Sequence, residues 1–186
     1  MKTIAIILAF IALLASGCAY AVRYDGTYMG KVIDADTGQP IEGAVVLGTW
    51  YTVMSTVAGG VHTFYDARET MTDKYGDFSI PGMGLRIMSN LEPMHFMIFK
   101  SSYEHLGSMP WVSLKADVLL SKQIKWERDK PIIPLKKFTM DERKKDGPPS
   151  RPSIPIGMMK QLTKEINQER MELGLTPFGL GGEKGE

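Results

Sequence analysis

The chain is predicted to fold as an all-β protein, an antiparallel β-sandwich of Greek-key type. Three observations carry that prediction. Short runs rich in β-branched and aromatic residues recur from Gly26 to about Leu120. Turn signals built from Asp, Gly and Pro separate them. Apolar residues make up 44% of the 186 positions, enough for one core. Several short strands punctuated by turns bury such a core by packing sheet on sheet.

Thr27–Asp34 reads as the first strand, with loose alternation. Asp36-Thr37-Gly38-Gln39-Pro40 follows as a turn: Asp caps the backbone, Gly accepts positive φ, and Pro fixes φ. Ala44–Val53 is a long second strand, broken at Ala58-Gly59-Gly60. His62–Thr72 is a third strand, and Asp73-Lys74-Tyr75-Gly76-Asp77 a second strong turn. Phe78-Ser79-Ile80 is a short strand closed by Pro81-Gly82. Met94–Lys100 reads as a mostly buried strand, and Trp111–Leu120 alternates as if returning to the sheet.

The character changes near Lys130. Pro131, Pro134, Pro148, Pro149, Pro152 and Pro155 argue against a sheet interior. The sandwich is therefore expected over 26–128 and a Pro-rich arm over 129–186. Thr139-Met140-Asp141-Glu142 fits a capping box for a short helix. A longer amphipathic helix is expected over 157–173, with Met159, Leu162, Ile166 and Leu173 on one face. Glu165, Glu169 and Glu172 fall largely elsewhere, and Gly174 suits the C-terminal cap. The glycine-rich end from Gly179 is expected to be a disordered tail.

The N-terminus has its own logic. Lys2 is followed by an uninterrupted apolar run, Ile4–Leu14, and then Ala15-Ser16-Gly17-Cys18. A basic start, an apolar segment and small residues before a cut define an export signal. The stretch resembles a bacterial lipobox. That resemblance implies removal of residues 1–17, lipid on Cys18, and a short tether over 18–25. Ala19 in place of Asp favours the outer membrane, with the body facing the periplasm. Two other readings stay open: a cut after Ala19-Tyr20-Ala21 releasing a soluble protein, or retention of uncharged Ile4–Val22 as an anchor.

Composition excludes several function classes. The net charge is +1, so nothing marks a nucleic-acid partner. One cysteine allows no internal disulfide and no zinc or haem cluster. There is no Walker loop, no GxGxxG and no complete calcium loop, so no cofactor is expected; Asp34-Ala35-Asp36-Thr37-Gly38 is only a partial echo of the last.

Two blocks resemble a known family. Gly30-Lys31-Val32-Ile33-Asp34 with Thr37-Gly38-Gln39-Pro40-Ile41-Glu42-Gly43-Ala44-Val45-Val46 is similar to the opening of the carboxypeptidase regulatory-like domain. Thr70-Met71-Thr72-Asp73-Lys74-Tyr75-Gly76-Asp77-Phe78-Ser79-Ile80 is similar to its second element. The resemblance covers about residues 26–106. It implies a transthyretin-like, seven-stranded sandwich, and no chemistry. The hairpin region between the blocks is longer and richer in aromatics than the family's pattern. It reads either as a binding surface or as an ordinary hairpin packed on the C-terminal segment.

No catalytic triad is legible. There is no G-x-S-x-G, and His62, His95 and His105 have neither triad nor metal spacing. The chain is therefore expected to be a non-enzymatic envelope lipoprotein that binds or braces an envelope protein. The alternative is a carbohydrate- or peptidoglycan-binding module. For that reading the candidate ligand-binding aromatics are Trp50, Tyr51, Tyr65 and Trp111, with Trp126 beside them. Strand parity sets Trp50 and Tyr51 on opposite faces.

Overall fold

Two runs that are apolar at nearly every position, Ala44–Leu47 and Phe96–Phe99, form the middle of the molecule. A strand whose two faces are both buried needs no polar alternation. The computed structural model describes residues 22–57, 59–116 and 123–179, and shows a β-sandwich with a helix packed on one outer face.

The strands are β1 Val22–Asp25, β2 Tyr28–Asp34, β3 Val45–Thr56, β4 Gly59–Met71 and β5 Asp77–Ile80. They continue as β6 Gly84–Ile87, β7 His95–Phe99, β8 Leu106–Pro110, β9 Lys125–Glu127 and β10 Lys130–Leu135. The helices are α1 Ser113–Ala116, α2 Met140–Asp146 and α3 Lys160–Glu172, the last preceded by a 3₁₀ turn, Ile156–Met158. One sheet has the order β4-β3-β7-β8, the other β5-β2-β10-β9; β1 and β6 form a separate ribbon.

Side-chain parity builds three layers. Val46 and Trp50 of β3 and Phe96 and Ile98 of β7 meet Val32, Phe78, Ile80, Ile133 and Leu135 of the facing sheet. Their neighbours Val45, Leu47, Met97 and Phe99 point the other way, onto Met159, Leu162 and Ile166 of α3. The helix thus packs on its own sheet, and Ile154 extends the contact.

The motif residues prove to be fold-making. Gly30 stands opposite Phe78 across β2 and β5, and a Cβ there would lie 2.5 Å from the ring. Gly76 has φ +76° and sits under the Val32 carbonyl, which a Cβ would approach to 2.4 Å. Asp34 caps its turn by accepting the Asp36 and Thr37 amides at 3.0 and 2.8 Å. Those hydrogen bonds, the Thr37 amide foremost, hold its carboxyl below the usual range against the opposing effect of burial.

Several expectations require correction. The seven-stranded antiparallel plan gives way to ten strands among the described residues, and β10 runs parallel to β2. The proline stretch enters a sheet after all. Pro131 pairs with Trp126 of β9 but precedes the β2 register, which begins at Ile132. Pro134 pairs with Ile33 of β2 but lies beyond the last β9 pairing. Each proline has a strand on one side only, where a missing N–H costs little. The boundary at 128 consequently falls inside the β9–β10 hairpin.

Trp111–Ala116 forms a turn and α1, while Leu106–Pro110 takes the edge beside β7. Residues 22–25 are a strand rather than the end of a tether. Glu165 and Glu169, expected on the solvent side of α3, are buried. The Thr139 capping box forms as expected: Thr139 Oγ1 accepts the Glu142 amide, and Glu142 Oε2 accepts the Thr139 amide at 2.9 Å. Cys18, the export signal and residues 180–186 of the tail lie outside the described residues.

Candidate functional site

The long β3–β4 hairpin carries most of the candidate aromatics. Its register slips between Trp50, opposite Asp66, and Tyr51, opposite Phe64. Tyr65 is the extra residue of this bulge. A bulge re-aims a side chain and commonly borders a functional region.

Trp50 is 0% exposed, so it is no ligand platform. Its position in the inter-sheet core requires a partner for the indole N–H, and Asp25 Oδ2 accepts it at 2.9 Å. Asp25 also accepts the Met83 amide at 2.8 Å and the Tyr28 hydroxyl. Burial, reinforced by the hydrogen bond to Asp25, pushes the Tyr28 hydroxyl up to about 12, so it stays a donor. Trp111 is half-buried, with its ring edge-on to Tyr28, Phe78 and Phe96. Lys115 lies over Trp126. The candidates thus divide: Trp50 and Trp111 serve the core between the sheets, whereas Tyr51 is half-buried on the other face and Tyr65 is exposed.

Tyr51 does point away from Trp50. Its ring meets Phe64 and His95 edge-on, at 6.3 and 5.4 Å between centroids. Phe64 in turn packs against the cluster beneath α3, which also holds Ile156 and Phe178. The hairpin is therefore packed on the C-terminal segment along this face. Tyr65 is exposed, with the Arg86 guanidinium 5.4 Å from its ring centre.

Folding also gathers residues that no spacing motif connects. His62 of β4 and Glu92, before β7, meet at 2.9 Å between Nδ1 and Oε2. His95 Nε2 lies 4.0 Å from the same oxygen. Burial lowers the His95 pKa; Glu92 opposes that effect and His62 adds to it. The group can exchange protons and donate hydrogen bonds at a surface. Among the described residues no Ser, Thr or Cys side chain hydrogen-bonds either imidazole, and no cluster of three His, Cys, Asp or Glu can hold a metal ion. His105 is elsewhere, 3.6 Å from Asp146. The signal that sequence reading missed is positional: His95 is one residue before the buried run of β7, so its neighbours are set by strand pairing.

No known family matches the chain, and no curated protein does. Among solved structures it is similar to a Streptococcal ancillary pilin, at 13% identity and a TM-score of 0.33. That likeness covers 62% of this chain and 30% of the pilin, so the chain spans under a third of its length. Among the described residues no helix is long and apolar enough to cross a membrane.

Proposed function

We propose that this protein is a lipid-anchored envelope module, held through Cys18 at the outer membrane and facing the periplasm, whose sandwich binds or braces another envelope protein. The observation that carries the reading is the order of features at the N-terminus. An apolar run ends in Ala15-Ser16-Gly17-Cys18, and the first strand begins at Val22. A folded body starting so close to an acylated residue is tied to its membrane without a long spacer.

The resemblance to the carboxypeptidase regulatory-like domain fits this reading as a statement about fold. Gly30, Asp34, Gly76 and Phe78 are all engaged in turns and packing. The carbohydrate reading is the weaker one, because Trp50 and Trp111 are taken up by the core. It rests on Tyr51 and Tyr65 alone.

The test is metabolic labelling with a fatty-acid probe, followed by cross-linking in intact cells and mass spectrometry. Labelling that disappears in Cys18→Ala, with a specific envelope protein cross-linked to the wild type, supports the proposal. An unlabelled wild type removes the anchor. Recovery of glycan in place of protein moves the function to cell-wall binding.

A further inference from the structure

The β1–β6 ribbon has an apolar face that no described residue covers. Its register pairs Val22 with Ile87 and Tyr24 with Leu85. Residues two apart on a strand share a face, so these four form one surface. They are between 52% and 75% exposed. Met88 follows them, 86% exposed and held at φ 46°, an uncommon conformation for a non-glycine residue. A two-stranded ribbon gains little stability alone, and a contiguous exposed apolar face marks a contact site.

The ribbon is held in a set orientation. Asp25, at the root of β1, is fastened to Trp50, Tyr28 and Met83. Beyond Met88, Asn90 clasps β3 twice: its carbonyl accepts the Val53 amide at 3.0 Å and its side-chain amide donates to the Val53 carbonyl at 2.9 Å. The opposite face carries Arg23 and Arg86, directly paired across the strands. Both are half-buried, with Arg23 Nη2 and Arg86 Nε turned away from solvent and Arg86 resting on the Tyr65 ring, so this face of the ribbon is the inward one.

We propose that this apolar face lies on the lipid surface of the membrane, resting on the reading that Cys18 is acylated. Three residues lie between Cys18 and Val22, which is four steps of the chain. Even fully extended they reach only about 14 Å. The anchor therefore keeps the start of the ribbon within that distance of the bilayer. Val22, Leu85, Ile87 and Met88 enter the interfacial zone, and Tyr24 suits its boundary. Acyl chain and apolar face act as two membrane signals, and together they fix the orientation of the sandwich.

The experiment uses the full chain, matured by the cell and reconstituted into vesicles of phosphatidylethanolamine and phosphatidylglycerol. The mass of the peptide containing Cys18 is read first and decides the anchor separately. An environment-sensitive fluorophore is then placed at Leu85→Cys, and in a second variant at Tyr24→Cys. The control is Lys74→Cys, in the turn at the other end of β5 from the ribbon. Shallow brominated lipid is expected to quench more than half of the emission at positions 85 and 24 and none at 74. Equal, water-like emission at all three overturns the proposal. So does probe-to-probe contact between copies without bromolipid quenching, which assigns the face to a second copy. If Cys18 carries no lipid, the same readings in a Cys18→Ser background decide the surface independently of the anchor.

Discussion

Arg143 and Glu169 meet as a two-bond fork between α2 and α3, with Nε 2.8 Å from Oε1 and Nη2 2.6 Å from Oε2. Their side chains are 8% and 5% exposed. Glu169 also accepts the Ser101 hydroxyl at 2.8 Å and the Ser102 amide at 3.0 Å. Glu165 accepts the Ser101 amide at 3.0 Å and lies 3.2 Å from Lys100 Nζ. One face of α3 therefore anchors α2 and the end of β7 together. Arg143→Ala leaves a buried carboxylate short of its cation and is expected to cost about 3–5 kcal/mol in urea unfolding. Glu169→Gln is expected to cost less, because Arg143 keeps Glu172 at 2.5 Å.

The same network sets an acid limit. Burial alone would raise the Glu169 pKa, but hydrogen bonds from Arg143, Ser102 and Ser101 outweigh it and hold the group below 4.5. The Arg143 bond, then Gln168, lowers Glu172 likewise. For a depressed carboxyl the stabilisation is complete above the ordinary value and is lost as pH falls through the folded one. Tm should hold above about pH 5 and drop below about pH 4. A Glu169→Gln variant with an equally steep drop would remove this network as the cause.

His95 titrates below the ordinary 6.5, chiefly because burial disfavours the imidazolium. Glu92→Gln removes an opposing attraction and should lower it further, while His62→Ala should raise it. An NMR titration of the imidazole resonances reads both shifts, and opposite signs would refute the shared-carboxylate geometry.

Gly76→Ala combines positive φ with a clash against the Val32 carbonyl, and is expected to cost about 1–3 kcal/mol or more. Gly30→Ala meets only the Phe78 ring. Pairing it with Phe78→Leu should recover part of its loss in a double-mutant cycle, whereas Gly76→Ala has no such rescue.

Leu162 is fully buried between α3 and β3, so Leu162→Ala should cost about 2–5 kcal/mol by thermal or urea unfolding. Deleting residues 155–186 uncovers Val45, Leu47, Met97 and Phe99 together. The expected result is lost thermal stability and aggregation. A truncated chain with unchanged Tm would show that α3 contributes nothing to the sheet.

Local chemistry was legible wherever a residue's role depends on its near neighbours. Gly76 and the Thr139–Glu142 box could be read directly, because turns and caps are made by residues a few positions apart, whereas the cap of the first turn proved to be Asp34 and not Asp36. The apolar run Met94–Lys100 read as a mostly buried strand, and Phe96–Phe99 of β7 are buried. What parity alone left open was which aromatic faced inward; pairing across the sheets chose Trp50.

By itself the sequence determined an all-β body with its principal turns and an amphipathic C-terminal helix, since periodicity and turn propensity are local properties. Only the tertiary structure decided that a proline-bearing segment becomes β10, that Glu165 and Glu169 are buried, and that His62, Glu92 and His95 meet. Those outcomes depend on pairing between residues far apart in the chain. Whether a missing N–H or a buried carboxylate is tolerated is set by the partner that the fold brings to it.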